Sequence, residues 1–181
     1  MSQPVDLVRP LLRVRQVREF TDAAVDDAKL DALADAGRWS GSARNSQPWR
    51  FIVVTDPGTL RAMADAGMPQ TRSLATAPTA IAIVMPRDED RSAVSQTYDE
   101  GRAAERILVA ATLLGLGAGI AWVRSDVREA MGGLLNVPED RYVRTIVAVG
   151  YPTDAAKRPK TAPGEARLPR SEMVFRERWP S

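Results

Sequence analysis

Asn45-Ser46-Gln47-Pro48-Trp49-Arg50-Phe51-Ile52-Val53-Val54-Thr55-Asp56-Pro57-Gly58 passes from polar loop to strand to helix without a linker. The run from Trp49 to Thr55 is aromatic and β-branched, which suits a pleated, half-buried surface. Asp56-Pro57-Gly58 then ends the strand and starts a helix through about Ala66, with Asp56 as N-cap and Pro57 in the first turn. A helix thus follows directly on a strand, and the same alternation recurs along the chain.

Before this stretch, residues 5–15 read as a short amphipathic helix led by Asp6 and weakened by Pro10. Asp26 or Asp27 caps a second helix to about Trp39, with Leu30, Leu33 and Ala34 at helical spacing. Ser40 to Pro48 is a polar loop. After it, Gly67 to Thr76 reads as a loop and Thr79 to Met85 as a buried strand. Arg87 to Arg91 forms a charged turn, and the longest helix runs from about Ser95 to Leu116. Its second half, Ala103, Ala104, Ile107, Leu108, Ala110, Ala111 and Leu114, is apolar almost all round, as befits a helix inside a large core or interface. Ala118 to Val123 is a strand. Ser125 or Asp126 caps a helix to about Leu135, and Tyr142 to Val149 is the last strand. Helices and strands in this order predict an α+β fold around one central, mostly antiparallel sheet.

The tail from Thr153 holds Pro159, Pro163 and Pro169 among several basic residues, too proline-rich to fold alone. Yet Met173, Val174, Phe175 and Trp179 need a surface to bury against, at roughly 1.5–3 kcal/mol each. We expect a single domain over residues 1–181 whose extended arm, 153–181, lies on a partner subunit.

The 181 residues carry 44% hydrophobic content and a formal net charge of +2, with acidic and basic residues interspersed. No blocked basic patch indicates nucleic acid. The N-terminus lacks the apolar core of a signal peptide, because Asp6, Arg9 and Pro10 interrupt it. The apolar stretch Ile107 to Trp122 falls short of the ~20 residues of a membrane span. The default expectation is a cytoplasmic protein without membrane partners.

Zero His and zero Cys is the most informative count. It removes Ser-His-Asp triads, cysteine nucleophiles, His general bases and His or Cys zinc sites. Neither a P-loop nor a G-x-G-x-x-G turn is present; Gly115-Leu116-Gly117-Ala118-Gly119 follows a helix and precedes a strand, the reverse of the dinucleotide fingerprint. An enzyme built from these residues relies on carboxylates or on a cofactor that carries the hard chemistry. No catalytic side chain and no metal ligand set stands out.

Two stretches carry a resemblance. Arg15-Gln16-Val17-Arg18-Glu19-Phe20 is similar to an Arg-Ser-x-Arg-x-Phe motif, and Trp39-Ser40-Gly41-Ser42-Ala43-Arg44-Asn45-Ser46-Gln47-Pro48-Trp49-Arg50-Phe51 is similar to a Pro-Ser-x-x-Asn-x-Gln-Pro-Trp-x-Phe pattern. Asp99-Glu100-Gly101, Leu114-Gly115-Leu116-Gly117, Gly150-Tyr151-Pro152 and Arg167-Leu168-Pro169 follow in the matching order. On these motifs the chain resembles the nitroreductase family of flavoproteins over nearly its whole length.

The resemblance implies a homodimer with FMN at the subunit interface and exchange of the C-terminal arms. It implies NAD(P)H as electron donor and a small electron-poor acceptor, such as a nitroaromatic, quinone or enone. Arg15, Gln16, Arg18 and Arg167 fall where the family contacts the FMN phosphate, a dianion that calls for charge-assisted donors. Ser42 and Asn45 offer a hydroxyl and an amide to a flavin edge, and Gln70 to Ser73, with Gln70 as the named contact, lies where the family places another contact. Trp122 and Val123 lie where a backbone N–H faces the flavin N5, a donor that stabilises the reduced anion.

Four positions depart from the family. Val14 replaces a common arginine and Gln16 the serine, which predicts a weaker phosphate site; Gly41 replaces proline, and Arg44 a small residue. Arg44 is the candidate selector of an anionic substrate or of the NADPH phosphate, or a partial block of the pocket. Two other functions compatible with these residues are a flavin-using dehydrogenase, dehalogenase or flavin-fragmenting enzyme of the same family, and a non-catalytic flavin- or nucleotide-binding dimer or a scaffold that has lost FMN.

Overall fold

The computed structural model describes residues 3–87, 92–158, 161 and 167–179. Seven helices and four strands are described: α1 Pro4–Leu12, α2 Asp27–Arg38, β1 Arg50–Val54, α3 Pro57–Ala66, β2 Thr79–Pro86, α4 Ser92–Leu113, β3 Gly117–Trp122, α5 Arg128–Leu134, β4 Arg141–Gly150, α6 Asp154–Lys157 and α7 Arg170–Met173. The strands form one open sheet in the order β1-β2-β4-β3, every pair antiparallel. The expected α+β architecture is present, with helices on both faces of the sheet. Of the charged turn expected from Arg87 to Arg91, residues 88–91 lie outside the described residues.

The continuous apolar runs of β2 and β4 follow from their central positions, since a strand covered on both faces has no polar side to show. Period-two alternation divides their side chains. Ala80, Ala82, Val84, Ile146 and Ala148 pack with Leu60 and Met63 of α3 and Met131 of α5. Ile81, Ile83, Met85, Val147 and Val149 pack on the other face with Leu30 and Leu33 of α2 and Ile107, Leu108 and Ala111 of α4. A one-residue slip in either strand would exchange the two sets.

Local chemistry sets the boundaries. Asp56 caps α3, accepting from the Thr59 amide at 2.7 Å and its hydroxyl at 2.8 Å. Those bonds hold its carboxyl below the usual range, so the cap persists as pH falls and is lost only below the ordinary aspartate range. α4 starts before the expected Ser95 and stops at Leu113, where Gly115 takes φ +73° and the Leu116 N–H closes onto the Ala111 carbonyl at 2.8 Å. That is a glycine C-cap. The expected cap at Ser125 or Asp126 does not form. Asp126 pairs with Arg124 at 2.6 Å, a 3-10 turn spans Ser125–Val127, and α5 begins without a side-chain cap.

The outer edge of β3 is partly covered by the segment after α1. Val17 donates its N–H to the Ala118 carbonyl at 2.8 Å, and Gln16 pairs with Ala118 as a parallel bridge. This approach is so close that a Cβ at position 119 would collide with the Val17 carbonyl oxygen, and one at 117 with the Val17 side chain. Gly117 and Gly119 are there because only glycine lets the two backbones meet. Gly119→Ala is therefore expected to cost about 1–3 kcal/mol, read as a lower urea midpoint; unchanged stability would mean that the edge contact contributes little.

Candidate functional site

β3 ends at an open edge, and three distant segments meet there. Arg18, Gln70, Arg72, Ser73, Ile120 and Trp122 are among the residues lining a cavity of about 310 Å³. A second cavity of about 210 Å³ lies alongside, bounded by Gln16, Val17, Arg18, Glu19, Ala155 and Ala156. Arg18 borders both, and its exposed guanidinium makes no ion pair among the described residues.

The backbone of β3 supplies a donor to this edge. Antiparallel strands aim N–H groups alternately toward and away from a neighbour. Val123 N–H reaches the Arg144 carbonyl of β4 at 2.8 Å, whereas Ile120 N–H points outward to the Gln16 side-chain oxygen at 2.7 Å. Two residues beyond Ile120, the Trp122 N–H shares its outward direction. Val123, expected at the cofactor, has its amide occupied by β4 and its side chain wholly buried. The outward donor belongs to Trp122, whose half-exposed indole lines the cavity.

The loop after α3 shapes the opposite wall. Thr71, fully buried, donates its hydroxyl to the Ala64 carbonyl at 2.8 Å. Ser73 and Leu74 are buried beside it, which leaves Gln70 and Arg72 exposed at the cavity. Arg72 falls within the Gln70 to Ser73 stretch that the resemblance implies, where Gln70 alone is named as a contact, and the fold places it at the same cavity as Arg18.

Other expected site residues lie elsewhere. Arg15 donates to the Lys157 carbonyl at 2.7 Å and so ties α6 to the chain after α1. Gln16 lines the smaller cavity, its oxygen already bound to Ile120. Val14 is partly buried against the core below α4. Arg167 is exposed on the arm and lines neither cavity. The arm's Met173, Val174 and Trp179 remain exposed, with the Trp179 ring edge-on to Phe175 at 4.8 Å.

Ser42, Arg44 and Asn45 also line neither cavity. They stand on a tight turn in which Arg44, Asn45 and Gln47 take φ of 53°, 54° and 48°, a region costly for side-chain-bearing residues. Ser42 pays for part of that strain by accepting the Gln47 N–H at 2.9 Å. Asp99 on α4, only 3% exposed, accepts the Ala43 N–H at 2.9 Å. Gly41 leaves room for the Arg102 guanidinium, which a Cβ would strike. The loop is thus pinned to α4 with Arg44 and Asn45 facing solvent.

The cavity therefore presents two guanidiniums, an amide, an outward backbone N–H and an indole. Such a set suits a ligand that is anionic at one end and planar and polar at the other. It contains no acid–base pair. Among the described residues no cluster of carboxylates fit to hold a metal occurs, and no helix is long and apolar enough to cross a membrane.

A profile of the nitroreductase family matches residues 13–73. A provisionally named NADH dehydrogenase/NAD(P)H nitroreductase of Archaeoglobus fulgidus is 32% identical over 77% of this chain and 82% of its own. The chain belongs to the nitroreductase family. An FMN-dependent nitroreductase of Clostridium difficile superposes with a TM-score of 0.78 at 26% identity, covering 92% of this chain and 97% of that one. A second nitroreductase-type structure, from Parabacteroides distasonis, gives 0.79 at 28% identity over 96% and 99%.

In this family member the 42–47 loop depends on α4. Asp99→Ala should lower stability by about 1.5–3 kcal/mol, because a buried charge-assisted bond is lost. Hydrogen exchange at the Ala43 amide should rise with it; an unchanged exchange rate would show that the loop holds itself.

Proposed function

We propose that this chain is one subunit of a homodimeric, FMN-dependent oxidoreductase that takes hydride from NAD(P)H and delivers it to an electron-poor small molecule. The observation that carries this reading is the cavity at the open edge of β3, where Arg18, Gln70, Arg72 and Trp122 converge. When bound, FMN supplies the redox chemistry; the protein need only bind, orient and polarise. Arg18 and Arg72 offer charge to the phosphate or to the carbonyl end of the ring. Trp122 provides an aromatic wall and an N–H directed into the cavity. Gln70 supplies an amide that can donate or accept.

FMN affinity should fall roughly 10- to 100-fold in Arg18→Ala and in Arg72→Ala, as expected for one lost charge-assisted contact. Quenching of flavin fluorescence on titration measures this. Wild-type affinity in both variants would mean the cavity is not the flavin site.

The dimer part of the proposal has its own support. Leu7, Leu11 and Leu12 of α1, Leu113 of α4 and Trp179 of the arm are all more than half exposed in the single chain. Isolated apolar side chains on a surface are ordinary, but helix and arm together suggest a covered face. A second copy would also bring its own 42–47 loop and Arg167 within reach of a cavity they do not line in one chain. Analytical ultracentrifugation at micromolar concentration is expected to give a dimer, and removal of residues 168–181 to weaken it; a monomer at all concentrations counts against the dimer.

Arg44 stands exposed on the loop with no ion pair among the described residues. In the dimer we place it at the mouth of the site as the contact for an anionic group. Arg44→Ala should raise KM for NADPH about tenfold while leaving KM for NADH nearly unchanged. Equal effects on both donors would remove the selector role.

A second reading keeps the fold and drops the catalysis, and the state of Gln16 favours it in part: at the family's serine position its oxygen is committed to Ile120. A colourless protein that takes up no added FMN would decide for that reading.

A further inference from the structure

Arg144 stands at an irregularity in the central sheet. Ile83 of β2 pairs with Thr145 and the next residue, Val84, with Val143, so Arg144 has no partner on β2. A bulge of this kind re-aims a side chain out of the regular alternation. Here it carries a guanidinium toward α4. The Arg144 Nε donates to Glu100 Oε2 at 2.9 Å, its Nη2 reaches the same oxygen, and Nη2 also donates to Thr97 Oγ1 at 3.2 Å. The Glu100 side chain is 2% exposed and that of Arg144 14%, so each charge needs the other. The guanidinium carbon lies 5.7 Å from the ring centroids of both Trp122 and Tyr142. Its own backbone carbonyl holds the Val123 N–H.

Such a pair is a poor device for stability alone, because well-packed apolar side chains of similar volume serve as well. What it does achieve is position. Among the described residues no aromatic ring packs on Trp122. The guanidinium flanks that indole, and the indole lines the cavity. The residue before Glu100 on α4, Asp99, holds the Ala43 amide of the 42–47 loop. Neighbouring carboxylates on one buried turn therefore hold the 42–47 loop directly and the cavity wall at Trp122 through Arg144.

We infer that Arg144 is a positioning residue: the β4 bulge and the buried Glu100 fix its guanidinium against Trp122, and so set the indole and the outward N–H at the end of β3. The inference rests on the flavin reading above for its functional consequence, but not for its geometry. Glu100 keeps one oxygen, Oε1, buried and without a partner, so the clamp runs through Oε2 alone. Glu100→Gln thus weakens the clamp without changing its shape.

The test uses the full chain labelled with 15N at its four tryptophans, with the Trp122 indole resonance assigned by Trp122→Phe. The double variant E100Q/R144M removes both charges together and avoids leaving one buried alone. It is expected to shift or broaden the Trp122 indole signal while the other three keep theirs, and to keep the cooperative thermal transition. FMN affinity should fall about three- to tenfold, the range of a lost cation–π contact. R144K keeps the charge but loses the planar stack; it should move the Trp122 signal less and recover part of the affinity. A Trp122 signal at its wild-type position in R144K and in the double variant would overturn the inference, as would equal movement of all four signals. Should the wild-type protein bind no FMN, the flavin reading fails, and the indole signals still decide whether Arg144 positions Trp122.

Discussion

The contact on which the site depends is the backbone meeting of residues 16–18 with the edge of β3. Val17 bonds to Ala118, Gln16 closes the Ile120 amide, and the missing side chains of Gly117 and Gly119 make room for both. Everything functional at this edge follows from that approach. It brings Arg18 alongside β3, and it leaves Trp122 as the first outward amide beyond the covered part. A methyl group at position 119 would push the two segments apart and carry Arg18 away from Gln70 and Arg72.

α4 provides the second constraint. It fills one face of the sheet with Ile107, Leu108 and Ala111, and it holds the site by its polar turn. Asp99 fixes a loop whose backbone is strained at three positions, while Glu100 engages the bulged Arg144 of β4. Strain and buried charge are both destabilising in isolation. One turn of α4 thus holds both the strained 42–47 loop and the Arg144 guanidinium that flanks the cavity-lining Trp122.

Much of the fold was legible because its cause is periodic. The apolar run of β2 announced a buried strand and Asp56-Pro57-Gly58 marked the start of α3, whereas the helix expected to reach Leu116 stops at Leu113 before the Gly115 turn. The cap expected at Ser125 or Asp126 failed because Arg124, two residues away, competes for the Asp126 carboxylate. At the cavity, Arg18, Gln70 and Trp122 are legible as candidates, and Arg72 only as part of the stretch from Gln70 to Ser73. The choice between Val123 and Trp122 was beyond sequence, since it depends on which amides the register of β3 against β4 consumes. The bulge at Arg144 leaves no mark in composition or periodicity. Met173, Val174 and Trp179 of the arm are exposed in the single chain, and the proposed partner subunit is where they would be buried.

The central claim is that the edge of β3 holds a flavin that NAD(P)H reduces. It is tested most directly by the visible absorbance spectrum of the purified protein with added FMN, before and after NADPH without oxygen. The account predicts protein-bound flavin bands that bleach on NADPH addition and return with a nitroaromatic or quinone. A protein that retains no flavin after desalting, or whose bound flavin keeps its bands in the presence of NADPH and NADH, would contradict it.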